Sequence, residues 1–134
     1  MRQKYFLSDI QSLKIAIDKP SLVFLRWDLW AGKTTLAKHI LGNLVWVTQE
    51  VRSPTYTYVN KYAENAHFDL YRMKDYDEFF AIGWEDILDN NQGVILVEWP
   101  EKIEKYYKPD IDITLRSTEN EGEREIEVVY RGEK

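Results

Sequence analysis

Residues 25–35 read LRWDLWAGKTT. The apolar run SLVFLR (21–26) comes before the loop, and TLAKHILGNL (35–44), with Leu36, Ile40 and Leu44 on one helical face, comes after it. Strand, loop and helix in that order, with Gly32-Lys33-Thr34 at the junction, is the context of a phosphate-binding loop. Glycine lets the backbone turn its N–H groups toward phosphate oxygens, lysine neutralises β/γ charge, and the next hydroxyl holds Mg²⁺. The helix start adds its own N–H groups and the positive end of its dipole. Against this, the pattern G-x-x-x-x-G-K-[ST] asks for glycine at position 27, where Trp27 stands. Taken alone, AGKT can also be read as an ordinary helix start.

A second stretch bears on the choice. GVILVEWP (93–100) is a buried-strand pattern closed by an acid and a proline. Proteins with phosphate loops pair the loop with a second strand ending in an acid that holds the Mg²⁺ shell or orients water. Glu98 is that acid, about 65 residues beyond Lys33. By itself it also reads as a solvated residue at a strand end. The two motifs together favour a nucleotide site.

The remaining chain supplies the frame. TYTYVNKY (55–62) and AHFDLYRM (66–73) predict a hairpin around Glu64-Asn65, and DIDITLRS (110–117) with REIEVVYR (124–131) predict another. DYDEFFAIGWEDILDN (75–90) predicts short helices broken at Gly83, its acidic run being a solvated face or a partner surface. Near the start, Ser8 with Gln11 suggests a capping box, and Ile10, Leu13, Ala16 and Ile17 suggest a helix ended by Pro20. The expected fold is α/β: a single P-loop NTPase-like domain over 1–134, with a mixed, mostly parallel sheet flanked by helices and extended by antiparallel hairpins.

At 134 residues the chain is long enough for one core. It contains no cysteine, which excludes disulfides, thiolate metal sites and cysteine nucleophiles. The polar start MRQKYFLSDIQSLK has no signal-peptide core, and no run reaches membrane-span length, so the expectation is a cytoplasmic protein without membrane contact. Net charge is −5 with both signs interspersed, so any RNA is expected to be held by a partner.

Five blocks in order carry a resemblance: WDLWAGKT (27–34), SPTYTYVNKY (53–62), HFDLYR (67–72), IGWEDIL (82–88) and LVEWPEKI (96–103). Together they resemble the TsaE (YjeE) family, whose loop usually reads G-D-L-G-A-G-K-T. The resemblance implies an ATPase using ATP and Mg²⁺. It would support threonylcarbamoyl modification of adenosine 37 in tRNA with TsaB–TsaD, meeting tRNA only through that complex. By the same resemblance Asp28, Leu29, Trp30, Ala31, Gly32, Lys33, Thr34 and Thr35 form the nucleotide loop. Lys33 contacts the β/γ-phosphates and Thr34 binds Mg²⁺. Ser53 and Thr55 lie in a switch-like segment, where Thr55 senses the γ-phosphate or helps hold the metal. Asp69 orients the attacking water or a metal-bound water. Glu98 stands in the metal shell or polarises water, and Trp99 lies beside the site.

Simpler readings stand beside these. Asp69 alternates with Phe68 and Leu70, so on a strand it faces the other way from them. His67 reads as structural rather than catalytic, and with only His39 besides there is no zinc-type cluster. Trp27 and Trp30 leave three explanations open: an altered form of a GDLGAGKT loop, a natural member with a degenerate loop, or a loop reshaped for another ligand. A tryptophan at a position needing φ > 0 would be strained. Its indole either packs against a neighbouring strand or crowds the site. The functional alternatives are a binding module with ATP blocked and, third, a small-molecule P-loop kinase.

Overall fold

The computed structural model describes residues 1–27, 33–44 and 59–131. Among them, seven strands form one sheet: β1 (Arg2–Phe6), β2 (Ser21–Trp27), β3 (Val59–Tyr62), β4 (Asn65–Asp69), β5 (Val94–Glu98), β6 (Ile111–Ser117) and β7 (Glu123–Tyr130). Their order across the sheet is β1-β7-β6-β2-β5-β4-β3. The central pairings, β6 with β2, β2 with β5 and β5 with β4, are parallel. The outer pairings are antiparallel. This is the mixed sheet that alternating strand and helix signals predict in the middle of the chain and hairpins at its flanks.

Helices lie on both faces. α1 (Lys33–His39), continued by a π turn over Ile40–Leu44, buries Leu36, Ala37, Ile40 and Leu41 against Val23, Leu25, Leu96 and Ile113. α2 (Tyr76–Ile82) and α3 (Glu85–Asp89) cover the other face, where Phe24, Phe68, Phe79, Ile95 and Val97 form a second core. β5 separates the two cores by alternation: Val94 and Leu96 face α1, Ile95 and Val97 face α2. Asp75 caps α2 by accepting the Glu78 N–H at 3.1 Å, and Gly83 ends it at φ 88, a conformation that costs a residue with a Cβ about 1–2 kcal/mol.

The start of the chain corrects the helical expectation. Arg2–Phe6 is an edge strand on β7, with Arg2 opposite Glu127, and Leu7–Ser12 is a 3₁₀ helix. Ser8 lies inside that turn; the cap position is Phe6, with no side-chain bond. Beyond it the segment is extended, burying Leu13 and Ile15 while Lys14 and Ala16 are exposed. The apolar residues therefore follow a period of two, which over so short a stretch also satisfies a helical spacing.

Candidate functional site

The loop's own residues, Asp28, Leu29, Trp30, Ala31 and Gly32, lie outside the described residues, as do Ser53 and Thr55 and the side chains of Lys33 and Thr34. The elements around them are described. β2 runs toward the loop and α1 begins at Lys33, so strand and helix stand where the motif needs them. Thr35 is exposed on the first turn.

The carboxyl end of β5 lies beside β2. Leu25 of β2 pairs with Glu98, and on the other side Asp69 of β4 pairs with Glu98. In a doubly covered parallel sheet, ligands bind at the carboxyl ends of the strands. Both acids are there, and both are buried. Asp69 is not a solvent-facing residue: Phe68 and Leu70 enter the α2-side core, and Asp69 takes the opposite face, as the alternation predicts. Its Oδ1 accepts the Tyr71 N–H at 3.0 Å, which stiffens the turn after β4.

Glu98 has a different partner. His67, two positions before Asp69 and on the same face, donates from Nε2 to Glu98 Oε2 at 2.8 Å. Both side chains are only 2% exposed. Among the described residues, Glu98 Oε1 and His67 Nδ1 are buried with no hydrogen-bond partner. Buried polar atoms in folded proteins are nearly always satisfied, so an orphaned carboxylate oxygen at this strand end suits a hydrated cation or a polarised water. Among the described residues there is no cluster of three or more His, Cys, Asp or Glu side chains able to cage a metal. His67 reads from the sequence as structural; its contact with Glu98 ties that part to the site. The signal was available in H-x-D on a strand, where a spacing of two puts both side chains on one face.

Trp99 follows at φ 58 and ψ 55, left-handed for a bulky residue and costing about 1–3 kcal/mol. The turn sends the chain into Pro100–Lys102 and leaves the half-buried indole between two other aromatic rings: Trp27 edge-on at 5.9 Å and 77°, and Tyr71 at 4.9 Å. Its Nε1 is also buried without a partner. Trp27 itself is the last residue of β2, paired with Leu115. It is not among the positive-φ residues, so position 27 places no strain on a side chain. Its ring packs against the α1-side core and Trp99.

Behind this end of the sheet, Arg26 ties the following segment down. Its guanidinium donates to both oxygens of Asp112 on β6 at 2.9 and 3.1 Å and to Glu104 at 2.7 Å. These carboxylates outweigh the desolvation of the guanidinium and raise its pKa above the usual arginine range. At the opposite end of the strands, a hollow of about 340 Å³ lies between Lys61, Asn65, Ile87 and Asn91. Its amides are spent on the fold: Asn65 Oδ1 accepts from Val94 N, and Asn91 bonds both Gly93 N and Ser21 O. His39 is buried and donates to the Leu13 carbonyl at 2.7 Å, a packing role.

A family model described as "Threonylcarbamoyl adenosine biosynthesis protein TsaE" matches residues 6–126. Proteins named "tRNA threonylcarbamoyladenosine biosynthesis protein TsaE" are similar along most of the chain. The one from Haemophilus influenzae is 36% identical over 121 residues, covering 87% of this chain and 75% of its own. That from Bacillus subtilis is 37% identical over 123 residues, covering 87% and 75%. That from Nostoc is 34% identical over 140 residues, covering 93% and 84%. Among solved structures, Bacillus subtilis YdiB superposes with a TM-score of 0.66 at 30% identity, covering 98% of this chain and 87% of that one.

Proposed function

The chain belongs to the TsaE family of tRNA threonylcarbamoyladenosine biosynthesis proteins, and from that premise we propose that it is a P-loop ATPase that binds and hydrolyses ATP with Mg²⁺ in support of this modification. The observation that carries the reading is Glu98: a buried carboxylate at the end of β5, beside the strand that leads into Gly32-Lys33-Thr34, with one oxygen held and the other unpartnered among the described residues.

Thr34, Thr55 and Glu98 are the residues that would hold Mg²⁺, which when bound spreads the negative charge of the β- and γ-phosphates. Lys33 would counter the charge that develops on the transferring group. Glu98 Oε1 would accept a hydrogen bond from water at the metal or in line with the γ-phosphate. Asp69, its Oδ1 fixed by Tyr71 N, would help orient that water. Trp99 would wall the site from bulk solvent, with Trp27 behind it. No covalent intermediate is needed; positioning and charge stabilisation suffice. The protein would act in the cytoplasm as one domain with TsaB–TsaD, and the dispersed acidic charge leaves tRNA to that complex.

A blocked module is the rival reading. Unstrained strand geometry at Trp27 and the packing of its ring on Trp99 speak against blockage from that position. The test is titration of ATP·Mg²⁺ into this chain and its Trp27→Gly/Trp30→Gly form, followed by multiple-turnover hydrolysis with and without TsaB–TsaD. Binding by both and turnover stimulated by the complex are expected. Binding only after glycine replacement would favour the blocked module, and binding by neither would sink the site.

A further inference from the structure

Glu98 is a flexible side chain, and an unpartnered oxygen is useful only if the other end of the carboxylate is held. Among the described residues, His67 is the sole side chain that donates to it. The donor stands on a strand paired on both sides: in β4, His67 is opposite Asn60 of β3 and Leu96 of β5. The residues before Glu98 on its own face and beside it on β2, Leu96 and Leu25, are apolar and offer it nothing. Asp69, in the same row, commits its Oδ1 to the backbone. A buried pair kept only for stability would be satisfied throughout, because each orphaned atom carries a desolvation cost. Here, among the described residues, both partners keep one unsatisfied atom, Glu98 Oε1 and His67 Nδ1.

We propose that His67 is a positioning residue for Glu98: its Nε2–H pins Oε2 and so aims Oε1 at the hydrated Mg²⁺ of the nucleotide complex. The inference rests on the reading of this strand end as a magnesium–nucleotide site. It assigns His67 no contact with substrate. Its role is to remove the rotamer freedom that Glu98 would otherwise have to lose when the ligand arrives.

The test compares His67→Gln, His67→Asn and His67→Ala. A glutamine amide places an N–H donor near the Nε2 position, and an asparagine amide near Nδ1. Mn²⁺ affinity in the ATP complex is read by electron paramagnetic resonance, ATP affinity in EDTA by calorimetry, and turnover separately. His67→Ala and His67→Asn are expected to weaken Mn²⁺ and lower kcat by about 10–100-fold, with metal-free ATP affinity unchanged, whereas His67→Gln stays within about threefold of the native chain. In a Glu98→Gln background His67→Ala should add nothing to the loss of Mn²⁺. Equal behaviour of Gln and Asn, native Mn²⁺ affinity in His67→Ala, or loss of the folded circular dichroism spectrum in all three variants would overturn the positioning role alone. Failure of the native chain to bind Mn²⁺·ATP would overturn the site reading and this inference together.

Discussion

Replacing Trp27 with glycine restores the first of the two glycines in the family's loop but removes a ring that the fold uses. Trp27 closes β2, is half-buried against the α1-side core, and meets Trp99 edge-on at 5.9 Å. Truncating a fully buried tryptophan costs about 3–5 kcal/mol, so a half-buried one gives about 2 kcal/mol. The lost edge-to-face pair adds about 1 kcal/mol, and glycine in a strand about another 0.5 kcal/mol. The sum is about 3–4 kcal/mol. With a urea slope of about 2 kcal/mol/M for a domain of this size, the unfolding midpoint should fall by about 1.5–2 M. A double-mutant cycle with Trp99→Leu isolates the ring pair, and its coupling energy should be about 1 kcal/mol. Unchanged or increased stability in Trp27→Gly, or strict additivity with Trp99→Leu, would refute the packing argument. A gain in ATP affinity alongside the loss of stability would show a loop that gives up pocket space for structural support.

The Tyr5 hydroxyl is buried with no partner, so Tyr5→Phe should stabilise the protein by about 1 kcal/mol at neutral pH in the same urea assay. Burial pushes the Tyr5 phenol up to about 12. Between its unfolded pKa, about 10, and that value the folded state keeps a proton that the unfolded state releases, so stability falls as pH rises through this window. Tyr5→Phe should flatten that fall in denaturation series from pH 9 to 12, leaving the smaller part due to Tyr107, which burial and the nearby Asp89 also push up to about 12. Phe79→Ala should cost about 3–5 kcal/mol, since its fully buried ring contacts those of Phe68, Trp84, Tyr76 and Tyr107; a loss under about 1 kcal/mol would contradict this packing. A Cβ on Gly93 would stand 2.4 Å from the Glu64 carbonyl oxygen, so Gly93→Ala should destabilise by about 1–3 kcal/mol, measured by thermal unfolding. Asp75→Ala removes the α2 cap and should cost about 1 kcal/mol, with Asp75→Ser losing much less.

What could be read from residues alone divides along physical lines. The central strands were legible because a strand buried on both faces is a continuous apolar run, as in SLVFLR and VILVE. The break at Gly83 was legible because only glycine takes φ 88 cheaply. The first strand was not, since RQKYF has one buried residue, Tyr5, and owes its extended form to β7, far along the chain. At the site, Asp69 and Glu98 could be named from their motifs, but not their adjacency, because strand order is set by packing. His67 was undervalued for the same reason: its partner is 31 residues away in sequence. The strain feared at Trp27 came from applying the glycine rule of the pattern to a residue that still belongs to the strand.

The sheet also has a temporal side. Its site half is β2, β5 and β4, whereas its far edge joins β1 to β7, elements distant in sequence: Arg2 bonds Glu127 across 125 positions, and the Met1 ammonium donates to the Val128 carbonyl. During synthesis β1 stays unpaired until β7 has been made. Such distant pairing slows folding and leaves an exposed edge in the meantime. The strands around Glu98, β2, β4 and β5, are all made before β7, so the site half of the sheet can be assembled before the β1–β7 edge is paired.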